Sequence, residues 1–219
     1  MPKKLSVQVH PNDEYAGKYE HGASGKTEMW YVVEAEQDSE IIYGFYDEIT
    51  KQQLAEGDKN GDIEKYLNRV RTHPGDVFFI TSGTVHGIGA GNLIVEIQES
   101  SDLTYRLYDY NRQDKDGNKR ELHIDKALNV VNLKKFSVIR QPMRVLRYAK
   151  GISKENILRC KYFQVEKISV NTNKNIYVEF NNISCKILVC ISGEGIIEMD
   201  DRGEICPLKK ETVFLFLHK

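Results

Sequence analysis

What most constrains this chain is the recurrence of short runs rich in Val, Ile, Tyr and Phe, each bounded by Gly, Pro, Asp or Asn. LSVQV, EMWYVVEA, SEIIYGF, DVFFIT, NLIVEIQE and TYRLYDY follow one another in the first half. Side chains alternate faces along an extended strand, and β-branched and aromatic residues suit that pleated surface, so the first half reads as mostly β. Helix signals interrupt it. Asp62 is a suitable N-cap, and Ile63, Tyr66, Leu67 and Val70 follow at i, i+3, i+4 and i+7, which predicts a helix there. Weaker helical turns are expected over Thr50 to Glu56 and Asn12 to Tyr19. HPGD, His73 to Asp76, closes the insert with a turn.

The second half repeats the plan. KYFQVEKISV, CKILVCISGEGIIEM and TVFLFLHK supply strands, and PLKKETVFLFL echoes HPGDVFFI as a turn leading into an apolar strand. Many short strands with regular turns predict two antiparallel barrel or jelly-roll units. The boundary is placed near Phe136. Residues 1–135 form the first unit, with a helical insert near 47–72; residues 136–219 form a connector and a smaller, structural second unit that reads as incomplete. The basic stretch Lys134 to Lys161, with Arg140, Arg144, Arg147, Lys150 and Arg159, reads as a solvated connector, since it carries no nucleic-acid motif.

Composition excludes several function classes. The 219 residues carry 31 Lys and Arg against 32 Asp and Glu, a formal charge of −1, so no global field draws the protein to nucleic acid or anionic lipid. The start, MPKKLSVQV, lacks the apolar run of a signal peptide and no stretch reaches the length of a membrane span, so a cytoplasmic protein is expected. Cys160, Cys185, Cys190 and Cys206 show no C-x-x-C spacing and read as reduced packing thiols.

Chemistry is suggested by four residues in the first half. In LSVQVHP, Gln8 and His10 share the face opposite Leu5, Val7 and Val9, their α-carbons about 6.6 Å apart, close enough to grip one ion. Taken alone this is the wet face of an ordinary strand. GKTEMWY starts an apolar strand with Glu28, after a loop in which Gly22 and Gly25 let backbone approach a ligand. SGTVHGIGAG sets His86 in a turn whose glycines leave room around the imidazole. Alone, Glu28 reads as a loop carboxylate and His86 as a backbone-bonded histidine. Together they make one amide oxygen, two imidazoles and one carboxylate, a donor set for zinc. Ferrous iron also takes two histidines and a carboxylate, so an iron-dependent oxygenase is a rival reading. GIGAG is not a dinucleotide loop, because a strand and not a helix follows it.

The next strand adds Glu96, inside an apolar run where a carboxylate needs a partner or a function. Its structural role is to accept from a buried donor, such as the free N–H of a metal-bound histidine. Arg106 is a surface cross-strand cation or a fork for phosphate or oxyanion. Arg112 shares its face, but a straight strand holds the two about 20 Å apart.

LSVQVHP, GKTEMWY, PGDVFFITSGTVHGIGAG, LIVEIQESSDLTYRLYDYNR and ELHIDKALNVV, in this order, resemble the bacterial type I mannose-6-phosphate isomerases, zinc enzymes of the cupin fold. The likeness covers residues 5 to about 131, and KYFQVEKISV with ISGEGIIEM resembles the second cupin of that family more weakly. The resemblance implies a cupin jelly-roll barrel and one zinc ion per chain held by Gln8, His10, Glu28 and His86. It further implies Arg106 as the active-site arginine, Lys26 lining the substrate pocket and Arg112 near phosphate. The reaction implied interconverts mannose 6-phosphate and fructose 6-phosphate through an enediolate, with Glu96 or Lys26 as the proton-transferring base. Family members carry strands before LSVQVHP and continue past VFLFLHK, and Thr81 stands where they commonly have proline. A shortened chain is therefore expected, with sheet edges open to pairing between copies, and a non-catalytic metal- or sugar-binding cupin is the second reading.

Overall fold

In a computed structural model, which describes residues 4–142, 144–173, 175–177, 184–199 and 203–216, the chain opens with β1 (Val7–Val9) and α1 (Asp13–Tyr19). Next come β2 (Glu28–Ala35), β3 (Glu40–Phe45), α2 (Lys51–Asn60), a 3-10 turn at Ile63–Tyr66, β4 (Leu67–Arg71), β5 (Val77–Ile80), β6 (His86–Ile88), β7 (Asn92–Gln98), β8 (Tyr105–Tyr108) and α3 (Ile124–Val130). Two antiparallel sheets result, ordered β4-β3-β6-β1-β8 and β5-β2-β7.

The strand faces explain the layering. Trp30 and Val32 of β2 and Phe78 and Ile80 of β5 pack with Ile41 and Tyr43 of β3 and Val70 of β4, so the two sheets share one interior. Val7, Val9, Ile42, Leu67, Tyr105 and Leu107 turn to the opposite face of the first sheet, where Leu54, Ile63 and Ala127 from the helical segments cover them. Both faces of that sheet are thus buried. The mainly β, jelly-roll type of chain expected from the runs is what forms. Ile42 and Phe45 share a face although three residues apart, because a bulge interrupts the register at Gly44, whose φ of +67° favours glycine.

Two expectations fail for identifiable reasons. Ile63 to Val70 is not a helix: only one 3-10 turn forms, and Leu67 and Val70 lie on β4. Their i, i+3 spacing puts them on opposite faces of a strand buried on both sides, with Leu67 in one cluster and Val70 in the other, which imitates a helical stripe. The insert's real helix is α2. Thr50 accepts from the Gln53 amide while the Gln53 side chain accepts from Thr50, a capping box readable in the sequence. Asn12 likewise caps α1 at the Tyr15 amide, as the helical turn there requires.

The basic stretch is a connector only over residues 134–142; from Arg144 on it is sheet. It folds there into β9 (Arg144–Ala149) and β10 (Ile152–Arg159), which pair with β11 (Gln164–Val170). Charges three apart at Arg144 and Arg147, and adjacent at Lys154 and Glu155, broke the strand period. Ile157 and Leu158 share a buried cluster with Met29 and Val77, on the outer face of β2 and β5. By contacts the chain separates into Met1–Asn171 and Thr172–Lys219. This boundary of compactness lies after the one expected near Phe136.

Within the second unit β12 (Lys186–Val189) pairs with β15 (Val213–Phe216), while β13 (Glu194–Met199) pairs with β14 (Glu204–Lys209). The last residues of TVFLFLHK lie outside the described residues. No helix among the described residues is long and apolar enough to cross a membrane.

Because Leu54 anchors α2 in the core with no exposure, Leu54→Ala should cost about 2–5 kcal/mol, whereas Thr50→Ala, which removes only a cap, should cost about 1 kcal/mol. Urea unfolding measures both; equal costs would mean that α2 is held by its cap and not by packing.

Candidate metal centre

Strand register brings the polar residues of the interior together. Tyr43, His86, Gln8 and Arg106 oppose one another across β3, β6, β1 and β8, so their side chains share the inner face in one row. Facing them, Glu28 and Trp30 project inward from β2, with Gln98 and Glu96 opposite them on β7. His10 follows β1 directly. Its backbone is pinned by Gly83, whose amide donates to the His10 carbonyl at 2.9 Å. The loop before Glu28 lies close against α1: a Cβ at Gly25 would come within 2.5 Å of Asn12 backbone, and Lys26 N donates to Pro11 O at 3.0 Å. Gly25 thus allows this close approach of backbone to backbone.

The centre itself is three fully buried residues. His10 Nε2 lies 3.1 Å from Glu28 Oε1, and His86 Nε2 lies 3.5 Å from Glu28 Oε2. Candidate ligand atoms of the three all fall within 4.8 Å of one another. Each imidazole has its Nδ1 against a carbonyl, at 2.7 Å to Leu103 O for His10 and 2.8 Å to Thr84 O for His86. A carbonyl only accepts, so both Nδ1 atoms carry the proton and both Nε2 atoms turn a lone pair toward the carboxylate. Carboxylate oxygens are acceptors too. His10 Nε2 and both Glu28 oxygens consequently remain buried without an aligned hydrogen bond.

Lone pairs converging on one point call for a cation. An ion with tetrahedral bonds of about 2.1 Å separates its ligands by about 3.4 Å, close to the spacings between these atoms. Gln8 lies beside the group: its amide nitrogen is 3.3 Å from His86 Nε2, and a half-turn of the amide would put Oε1 there instead. Lys26, itself buried, sets Nζ 2.9 Å from Glu28 Oε1.

Electrostatics follow from this packing. Burial alone would raise the Glu28 carboxyl; His10 and His86, in their protonated forms, and Lys26 outweigh it and lower it to about 2. Burial, with His10 alongside, lowers the His86 imidazole to about 4, so it is neutral at pH 7. Burial, then the Glu28 charge, raises Glu96.

The remaining candidates divide. Glu96 Oε2 accepts from the Trp30 indole at 2.7 Å and not from a histidine N–H; those go to backbone carbonyls. Arg106 stands in the Gln8 row, its Nη1 donating to Glu121 O at 2.7 Å and its Nε buried without a partner. Burial, then the Arg120 charge, lowers its pKa. Arg112 lies further along: its donors go to Asp109 and to the Lys4 carbonyl, four residues and about 13 Å before Gln8. Sequence reading missed Trp30, which sits two residues after Glu28 on the same face. The Leu103 and Thr84 carbonyls left no sequence signal, being backbone.

No protein-family model matches the chain. It is 39% identical over 206 residues to the mannose-6-phosphate isomerase ManA of Bacillus subtilis, covering 94% of this chain and 63% of that protein. Against the mannose-6-phosphate isomerase of Streptococcus mutans it is 46% identical over 131 residues, 60% of this chain and 41% of that protein. A crystal structure of mannose 6-phosphate isomerase from Bacillus subtilis superposes with a TM-score of 0.80 at 32% identity, over 100% of this chain and 67% of that one. The chain belongs to the mannose-6-phosphate isomerase family. It spans somewhat less than two thirds of the curated Bacillus subtilis relative's length. For a mannose-6-phosphate isomerase relative of this kind, the buried His10, Glu28 and His86 group is the place to look for a metal.

Two outcomes are expected. Returning a divalent transition metal to chelator-treated protein, at about 100 times its Kd, should raise unfolding free energy by about 2.7 kcal/mol, and His86→Ala should show no rise. In the metal-free protein His86 and Glu28 both have folded pKa values below their ordinary 6.5 and 4.5. Their contribution is therefore full above about pH 6.5, and is lost as pH falls, for His86 through about 4 and for Glu28 toward about 2. Urea midpoints should drop between pH 7 and 4, and the drop should shrink in His86→Ala.

Proposed function

We propose that this chain interconverts mannose 6-phosphate and fructose 6-phosphate, with one zinc ion held by Gln8, His10, Glu28 and His86. The observation that carries this reading is the set of buried lone pairs from His10, Glu28 and His86 with no proton between them, in a chain of this family. When bound, zinc supplies a Lewis acid for the substrate oxygens. The chain's own groups do the rest.

The reaction moves a proton between C1 and C2 through an enediolate, so negative charge builds on oxygen. Arg106, in the Gln8 row with its Nε unpartnered, supports the role of holding that charge. Lys26, fixed against Glu28, suits orientation of the substrate. Glu96 suits the proton transfer, because burial and the Glu28 charge raise its pKa from the usual carboxylate range, toward a value useful for acid and base work. Arg112, its donors taken by Asp109 and Lys4, adds positive charge for the phosphate. A cytoplasmic setting and pairing of copies along sheet edges belong to the same reading.

The test joins metal analysis to a coupled isomerase assay. One zinc per chain with turnover is expected; His86→Ala should lose both, and Arg106→Ala should lower kcat by about 10²–10³-fold with zinc retained. Zinc without turnover would favour a non-catalytic binder, and iron with oxygen uptake an oxygenase.

A further inference from the structure

Trp30 is the single tryptophan of the chain and is 1% exposed. It touches two parts of the site. Its ring meets His86 edge-on, with centroids 5.3 Å apart and planes at 77°. Its Nε1 donates to Glu96 Oε2 at 2.7 Å. Trp30 and Glu96 are also direct partners across β2 and β7, so the bond is built into the register.

A buried indole N–H needs an acceptor, yet a backbone carbonyl would serve and leave no charge behind. The acceptor here is a solvent-accessible carboxylate whose surroundings raise its pKa. Donation from Trp30 works against that rise and stabilises the ionised form. The bond occupies Oε2 and leaves the second carboxylate oxygen untied.

We infer that Trp30 is a positioning residue, whose indole N–H fixes the Glu96 carboxylate beside the His86 edge of the centre so that its other oxygen exchanges the proton. The inference rests on the proposed isomerase reading for the role of Glu96, but the bond itself is independent of it. A purely structural Trp30 would need only its ring. Trp30→Phe keeps most of that ring and deletes the donor.

A single tryptophan gives a single indole cross-peak in a ¹H–¹⁵N spectrum, read on the full chain without metal. Glu96→Ala should move that peak upfield and leave the backbone pattern intact; a peak that stays in place overturns the bond. On zinc-loaded protein, Trp30→Phe should keep one zinc per chain and lose about tenfold in kcat, with little change in KM, as for one hydrogen bond to a charged group. Unchanged kcat with zinc retained overturns the positioning role. Should Trp30→Phe fail to fold, the Glu96→Ala spectrum still decides. If the parent chain shows no turnover, the isomerase reading falls while the indole peak continues to judge the Trp30 to Glu96 bond.

Discussion

Everything around the centre answers to one ionised carboxylate buried without solvent. Glu28 is 0% exposed, and a charge taken that far out of water costs several kcal/mol unless something of opposite sign meets it. Lys26 supplies part of the answer at 2.9 Å. The imidazoles of His10 and His86 do not, since each is tied through Nδ1 to a carbonyl and shows a lone pair inward. The protein has arranged acceptors against acceptors, which is unfavourable until a cation occupies the gap. A cation bound there would couple its binding to the stability of the first unit.

The sandwich makes this arrangement tolerable. Helical segments cover the outer face of the five-stranded sheet with Leu54, Ile63 and Ala127, and β10 packs Ile157 and Leu158 on the outer face of β2 and β5. With apolar cores on both outer faces, part of the shared interior can be polar. Trp30 stands at the border, its ring in the apolar cluster and its N–H on Glu96. Geometry of the ligands then depends on strands, which hold side chains more tightly than loops do. His86 and Gln8 sit opposite each other on β6 and β1.

Much of the site was legible because its residues break the apolar rhythm of strands. Gln8 and His10 face away from Val7 and Val9; Glu28 heads an apolar strand; Glu96 interrupts NLIVEIQ. Such departures mark polar groups that must be satisfied in the interior. The helix predicted from Asp62 was misread because Leu67 and Val70 serve two cores at once, and β9 and β10 were missed because their charges obscured the alternation. Arg112 could be assigned only to a face. Its commitment to Asp109 and the Lys4 carbonyl arises where distant segments meet.

The sequence by itself determined the period of the strands, the capping of α1 and α2 and the four donor types, because each is written in residues a few positions apart. Only the tertiary structure decided which lone pairs converge, that Trp30 joins Glu96 to His86, and that the basic stretch is sheet from Arg144 on. Those outcomes depend on register between strands dozens of residues apart, and local propensity carries no record of a neighbour's carbonyl.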